Sequence, residues 1–413
     1  MHSNRKTDSS VYMRSLRYHE RHPGKIKIMN KTRLQTNDDL SLAYTPGVAE
    51  PCRRIAKNPD DAYRYTSKGN MVAVISDGTS VLGLGDMGPL AAIPVMEGKA
   101  MLFKFFAGVD AFPICLDTKN PEEIITTVKN IAPSFGGIHL EDISAPRCFE
   151  IETRLNEMLD IPVFHDDQHG AALVMIAGLA NALKVVGKKF SDIKVAISGA
   201  GAAATASVNM LIDEGVRDII VCDSKGIIHK GREGLNPAKV KLAALTNRED
   251  VTGTLSDAMK DADVFIGFSV GGIVSQEMVH SMASDAIVFP LANPIPEIMP
   301  DKAIQAGARI VGTGRSDLPN QINNVLGFPG VFRGALDVRA TEINREMKIS
   351  AANTISSLIE PTEDMILPDI FDTIVAPIVA SAVARAAIET KVARLIIEPE
   401  EVEEHTRKLL RSQ

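Results

Sequence analysis

Tryptophan is absent from this 413-residue sequence, and its four cysteines include no CxxC pair. The scattered positions of Cys52, Cys115, Cys148 and Cys222 argue against a disulfide framework and against a thiolate zinc site. No run of about 18 apolar residues occurs, so we expect no membrane span. The first 30 residues are basic and polar without an apolar segment, which argues against a secretory signal. The expected location is therefore the cytoplasm.

An excess of positive charge is also lacking, because 45 lysines and arginines face 52 aspartates and glutamates, for a net charge of −7. We therefore expect no nucleic-acid partner. Residues 1–27 are an exception, since seven basic side chains there face only Asp8 and Glu20. No series of stacking aromatic residues accompanies this basic arm, so a solvated arm or an oligomer contact is favoured. The seven basic residues are Arg5, Lys6, Arg14, Arg17, Arg21, Lys25 and Lys27.

The length predicts more than one domain, and we place the boundaries at 1–165, 166–348 and 349–413. In the second domain, strand-length apolar runs alternate with helical spacers, which predicts an α/β fold with a Rossmann-type doubly wound parallel sheet. The apolar runs of the first domain, separated by loops, predict a smaller α/β unit. The last segment predicts helices that pack back on the first domain, with Pro377 expected to kink or break one of them. The predicted strands are 71–76, 112–116, 137–140, 193–198, 218–222, 263–267, 286–291 and 309–312.

A glycine- and alanine-rich turn follows the predicted strand 193–198 and precedes a predicted helix. Gly199 permits the tight turn, Gly201 lets the backbone approach a pyrophosphate, and the small Ala204 lets helix and strand pack closely. The free N–H groups of the helix N-terminus then suit phosphates. This pattern predicts a dinucleotide site. Its predicted cofactor-binding residues are Gly199, Ala200, Gly201, Ala202 and Ala203.

Asp223 follows Gly201 by 22 residues, where an acid would bond the hydroxyls of the adenine ribose. The acid favours NAD, whereas the adjacent Ser224 and Lys225 could serve a 2′-phosphate, so NAD and NADP both remain open. A second glycine pattern at 83–88 is followed at once by proline, and we expect no unit of helix and acid after it. There a flexible loop near substrate is favoured over a second nucleotide site.

Two acidic pairs, Glu141-Asp142 and Asp166-Asp167, follow apolar runs. Acids at strand ends and in first helical turns are often caps. Carboxylates without thiolate or imidazole also suit Mg²⁺ or Mn²⁺, and strand ends are where open α/β sheets bind ligands. Glu141, Asp142 and Asp167 are therefore candidate metal ligands. His165 and His169 flank the second pair and are expected to support it rather than to bind the ion.

Two further polar residues and two asparagine-rich loops are candidates for a functional role. Lys99 lies between apolar runs, and is either a surface residue that extends its charge to water or a buried base with a lowered pKa. Tyr44 lies in a turn-forming context. Two asparagine-rich loops, at Asn293 and at 320–324, follow predicted strands and suit amide contacts to a nicotinamide or to a carboxylate, although such residues also simply favour turns.

Several short segments, taken in order along the chain, resemble those of malic enzymes, most closely of the short prokaryotic type. The segments are YTPGVA at 44–49, SDGT at 76–79, GLGD at 83–86, EGK at 97–99, ED at 141–142, FHDDQHG at 164–170 and GTGRSD at 312–317. Because the sequence ends at residue 413, we expect no acetyltransferase-like extension of the kind that some longer relatives carry.

The resemblance implies oxidative decarboxylation of (S)-malate to pyruvate and CO₂, with reduction of NAD or NADP, by a homodimer or higher homo-oligomer. It implies that Tyr44 is the general acid and Lys99 the general base. The remaining roles follow the same matches: Glu141, Asp142 and Asp167 hold Mg²⁺ or Mn²⁺, Asp166 supports them, Asn293 contacts the cofactor, and Asn323 or Asn324 contacts the substrate.

Two other functions are weighed against this one. A redox-neutral lyase would decarboxylate oxaloacetate or malate with a weakened cofactor site. A nucleotide-sensing protein would have lost catalysis altogether, but the presence of Tyr44, Lys99 and three candidate metal carboxylates counts against it.

Overall fold

Two β-sheets, one in each half of the sequence, organise the chain in a computed structural model that describes the backbone of residues 4–412 and the side chains of residues 11–412. The strands are β1 (Met71–Ser76), β2 (Asp110–Cys115), β3 (Gly137–Leu140), β4 (Val163–His165), β5 (Lys194–Ser198), β6 (Asp218–Asp223), β7 (Gly226–Ile227), β8 (Val264–Gly267), β9 (Ile287–Pro290) and β10 (Ile310–Val311). The helices are α1 (Asn4–Arg21), α2 (Asn37–Ala43), α3 (Ala49–Lys57), α4 (Ala62–Tyr65), α5 (Pro89–Ala107), α6 (Pro121–Ile131), α7 (Arg147–Met158), α8 (Asp166–Val186), α9 (Ala202–Asp213), α10 (Pro237–Leu245), α11 (Leu255–Met259), α12 (Gln276–His280), α13 (Pro300–Gln305), α14 (Phe328–Asp337), α15 (Arg345–Ser357), α16 (Val375–Glu389) and α17 (Pro399–Arg411). The side chains of Arg5 and Lys6 in the basic arm lie outside the described residues.

The first sheet has the parallel strand order β2-β1-β3-β4. The chain passes from β1 through α5 to β2, and then returns across β1 to β3, so successive crossovers run in opposite directions. Such a reversal opens a crevice at the carboxyl ends of the strands, where α/β proteins bind ligands. The loops that follow β1 and β3 therefore meet at one crevice.

The second sheet has the order β10-β9-β8-β5-β6-β7, parallel except for the short β7. The strand order reverses at β5, which pairs with β6 on one side and β8 on the other. The glycine-rich turn joins β5 to α9 at this reversal, and Gly199 N donates to Cys222 O on β6 at 2.8 Å. The Rossmann-type α/β fold predicted from the sequence is confirmed.

Helix α8 forms much of the core, and Asp166 and Asp167 lie in its first turn. Among the described residues it is the one helix long and apolar enough to cross a membrane, yet 67% of its apolar window is buried inside the protein. Its middle packs against the C-terminal part of the chain, where the Asn181 side-chain amide donates to Ile366 O at 3.0 Å. The apolar character of α8 therefore reflects a buried core helix.

The C-terminal helices contact the first 165 residues. Arg394 donates to the Tyr63 hydroxyl at 2.7 Å, and Leu409 of α17 covers Gly108. A Cβ atom on Gly108 would lie 2.7 Å from the Leu409 Cβ, so this contact requires glycine. The expected kink at Pro377 was wrong, because this proline lies in the first turn of α16, where a missing N–H group leaves no hydrogen bond unmade.

Candidate active site

Lys99 lies inside the protein, near the crevice of the first sheet. Its side chain on α5 is 7% exposed, and Nζ lies 2.7 Å from Asp166 Oδ2 and 3.1 Å from Glu141 Oε2. The expectation that burial lowers its pKa is not met. Burial does disfavour the charged form, but the attraction of Asp166 and Glu141 outweighs it and raises the pKa of Lys99 above its ordinary value. The alternative of a surface lysine is also wrong.

Glu141, Asp142 and Asp167 come together at the carboxyl end of β3, with their ligand oxygens within 4.8 Å of one another. Burial raises the pKa of Glu141, and burial together with the charges of Glu141 and Asp167 raises the pKa of Asp142 well above its ordinary value. The Asp142 Oδ2 atom is buried and has no hydrogen-bond partner among the described residues. Three crowded carboxylate oxygens with one such unpaired atom fit a hard divalent cation.

His139 is a residue of this site that the sequence reasoning missed. It is fully buried on β3, and its Nε2 lies 2.7 Å from Glu141 Oε2. Burial lowers the pKa of His139 to about 3, so the ring is neutral and its Nε2–H donates to Glu141. The sequence could have indicated His139, because it precedes Glu141 by two positions and residues two apart in an extended chain share a face.

Asp166 lies beside the carboxylate trio and contacts Lys99. Its Oδ2 accepts from Lys99 and from the side-chain amide of Asn324. The carboxylate leans against Gly170, where a Cβ atom would lie 1.9 Å from Asp166 Oδ1. Asn323 instead caps the turn 324–326, accepting from Val325 N at 3.1 Å. The structure therefore brings Asn324, rather than Asn323, into contact with the Lys99 cluster.

Tyr44 lies away from this hydrogen-bonded cluster. Its side chain is 67% exposed, and its hydroxyl makes no hydrogen bond with any described residue. It directly follows α2, and neither α2 nor α3 contains a buried residue. The structure of one chain thus does not link Tyr44 to Lys99.

The glycine-rich turn has the geometry that a dinucleotide-binding site requires. Gly199 has φ +107°, and a Cβ there would lie 2.5 Å from Phe268 O, so both conformation and space require glycine. Helix α9 begins at Ala202, directly after Gly201, and presents the free N–H groups of its first turn. Ala204 is fully buried against the sheet.

The loop with the second glycine pattern reaches the second sheet. A Cβ on Gly83 would lie 2.4 Å from Asn293 O, so this loop touches the asparagine loop that follows β9. That asparagine loop is held by Glu297, a residue the sequence reasoning missed, which accepts from Ser269 N at 2.8 Å and Ala292 N at 3.0 Å. A helix does follow residues 83–88, because α5 begins at Pro89.

Asp223 ends β6 beside the turn, but its carboxylate is already paired. Arg232 Nη2 lies 2.6 Å from both carboxylate oxygens, and Lys239 Nζ lies 2.5 Å from Oδ2. Lys225 N also donates to Oδ1 at 2.9 Å. Partial burial acts to raise the pKa of Asp223, but Lys239 and Arg232 outweigh it and lower this pKa to about 2. Arg232 and Lys239 had not been predicted.

Comparison with known proteins identifies both halves of the chain. Residues 23–156 match the family described as "Malic enzyme, N-terminal domain", and residues 168–388 match "Malic enzyme, NAD binding domain". A "Bifunctional malic/malolactic enzyme" of Bacillus subtilis is 58% identical, over 97% of this chain and 98% of the relative. An "NAD-dependent malic enzyme" of Geobacillus stearothermophilus is 60% identical, over 90% of this chain and 78% of the relative.

An "NADP-dependent malic enzyme" of Escherichia coli is 48% identical over 94% of this chain, which spans 53% of that longer relative. Among solved structures, a malic enzyme from Pyrococcus horikoshii superposes with a TM-score of 0.93. It is 52% identical, and the match covers 97% of this chain and 96% of that one. The similarity therefore extends over both sheets and the crevice of the first sheet.

Proposed function

Because the chain belongs to the malic enzyme family, we propose that it oxidises and decarboxylates (S)-malate to pyruvate and CO₂ while reducing NAD or NADP. The observation that carries the proposal is the buried contact of Lys99 with Asp166 and Glu141, beside a carboxylate trio. Each part of this chemistry has a matching group: a base, a cation site and a dinucleotide turn.

Glu141, Asp142 and Asp167 would hold Mg²⁺ or Mn²⁺. Their clustered oxygens and the unpaired Asp142 Oδ2 support this assignment. A bound cation of this kind polarises a hydroxyl or keto oxygen and stabilises the enolate left when CO₂ departs. Asp166 keeps its contacts to Lys99 and Asn324, which leaves it beside the trio as a supporting group.

Lys99 would remove the proton from the C2 hydroxyl as hydride passes to the nicotinamide. Lys99 must be neutral for this step, whereas the negative charges of Asp166 and Glu141 favour its charged form when no cation is bound. When Glu141 serves as a cation ligand, less of its negative charge faces Lys99, and the pKa of Lys99 falls. Asn293 contacts the cofactor, and Asn323 or Asn324 contacts the substrate.

Tyr44 would protonate the enol carbon. It lies in an N-terminal region with many exposed apolar side chains, including Tyr12, Leu16 and Leu42. A homodimer or higher homo-oligomer would bury these side chains. Sedimentation should then give a mass of at least twice the 44.5 kDa of one chain.

The activity is tested by incubating the protein with malate, Mn²⁺ and either nicotinamide, and by measuring reduced cofactor, pyruvate and lactate. We expect reduced cofactor and pyruvate in equal amounts. Pyruvate without reduced cofactor would support the redox-neutral lyase and contradict the proposal. Lactate is included because the relative from Bacillus subtilis is named a bifunctional malic/malolactic enzyme.

The charges around Asp223 predict that NADP is accepted. The carboxylate oxygens already accept four hydrogen bonds from Arg232, Lys239 and Lys225, so little acceptor capacity remains for a ribose diol. Lys239→Ala should lower kcat/KM for NADP by about tenfold, as expected for one charged hydrogen bond, and should spare NAD. Lys241→Ala, on the exposed side of the same helix, is the control. An equal loss for both nicotinamides would contradict this role of Lys239.

A further inference from the structure

Another buried carboxylate, Glu152, contacts the segment that carries Asp167 of the proposed cation site. Glu152 on α7 is 8% exposed and accepts hydrogen bonds from three residues of the segment that carries Asp167. His165 N donates to Oε1 at 2.8 Å, and Gln168 Nε2 donates to Oε2 at 2.8 Å. His169 Nε2 lies 3.0 Å from the same Oε2. One carboxylate therefore fixes the backbone and two side chains at the junction of β4 and α8.

This anchoring extends to Asp167 through the ring of His165. Gln168 Nε2 lies 3.0 Å from His165 Nδ1. On the other side of the ring, Nε2 lies 3.2 Å from Asp167 Oδ2, a close electrostatic contact without the geometry of a hydrogen bond. The same Oδ2 accepts from Asp142 N at 2.9 Å. The His165 ring and the Asp142 N–H group both contact Oδ2 of Asp167. Asp167 Oδ1 makes no hydrogen bond with any described residue, so Oδ1 is available to a ligand.

The outer end of the network reaches the C-terminal helices. His169 Nδ1 lies 3.4 Å from Lys348 Nζ on α15. The amine of Lys348 thus lies beside the histidine that contacts Glu152. Glu152 is connected on one side to Asp167 and on the other to helix α15.

We propose that Glu152 is a positioning residue for Asp167: it holds the first turn of α8 and, through Gln168 and His165, the orientation of the Asp167 carboxylate. This inference rests on the proposed function, in which Asp167 binds the divalent cation. Residues that hold metal ligands in place typically change metal affinity by about 10- to 100-fold when they are replaced. The full carboxylate is needed because a glutamine would turn an N–H group towards donors that require an acceptor.

The test measures Mn²⁺ binding directly, by titration calorimetry on the protein without nucleotide or malate. Glu152→Gln should weaken Mn²⁺ binding by about tenfold or more, with dinucleotide affinity unchanged. In turnover, the KM for Mn²⁺ should rise, and kcat should recover at saturating Mn²⁺. The matched control is Glu150→Gln, which alters an exposed carboxylate on the same helix and should leave Mn²⁺ binding intact.

Separate outcomes distinguish this inference from the proposed function. If the unsubstituted protein does not bind Mn²⁺, or if Asp167→Ala binds it as well as the unsubstituted protein, the proposed cation site itself is wrong. If Asp167→Ala loses Mn²⁺ binding and Glu152→Gln retains it in full, only the inference about Glu152 is overturned. Should Glu152→Gln fail to fold, Gln168→Met applies the same test, because it removes the link between Glu152 and the His165 ring.

Discussion

Lys99→Ala is expected to lower kcat for malate oxidation by about 10²- to 10⁴-fold, the usual contribution of a positioned general base. The substitution removes the Nζ atom that lies between Asp166 and Glu141 and leaves no other lysine in contact with that pair among the described residues. Formation of reduced nicotinamide, followed by its absorbance at saturating malate and Mn²⁺, is the measurement.

Lys104→Ala is the matched control for this substitution. Lys104 lies on the same helix, is 51% exposed and pairs with Asp110 away from the carboxylate trio. It should turn over malate like the unsubstituted protein. Unchanged malate turnover in Lys99→Ala would mean that the base is another residue, whereas lost dinucleotide binding in that variant would indicate a damaged fold.

Asp167→Ala is expected to reduce Mn²⁺-dependent turnover by about 10³-fold, because Lewis-acid stabilisation contributes several kcal/mol. Dinucleotide binding should be kept, since the glycine-rich turn is built on β5 and β6 of the other sheet. Mn²⁺ titration and dinucleotide titration of the same preparation provide the two readouts.

Asp160→Ala serves as the control for the loss of a carboxylate, because Asp160 is 82% exposed and pairs with Arg394. It should retain both metal and dinucleotide binding. If Asp167→Ala loses both ligands together, misfolding is the explanation and the assignment of Asp167 loses its support.

The regular parts of the fold could be predicted because their apolar runs are buried on both faces. β1 and β3 match the predicted runs 71–76 and 137–140, and the other six predicted runs each overlap a strand. β4, with three residues, and β7, with two, were missed. Pro377 was misread because the residue before its helix, Ile374, carries no polar cap that would mark the start.

In the candidate site, the sequence could indicate residues but not their partners. The acids at strand ends and the glycine turn were visible as local patterns. The shift in the pKa of Lys99 could not be predicted from the sequence, because its direction depends on Asp166, a residue 67 positions away in the sequence. Arg232, Lys239 and Glu152 were missed for the same reason, because each acts on a residue brought near only by the folded chain.

The burial of α8 has a consequence for how the protein is made. A ribosome releases this apolar helix long before it releases the residues that cover it, since Asn181 finds its partner at Ile366, 185 positions later. Until then, the apolar surface of α8 that these later residues cover is exposed in the nascent chain and can promote aggregation.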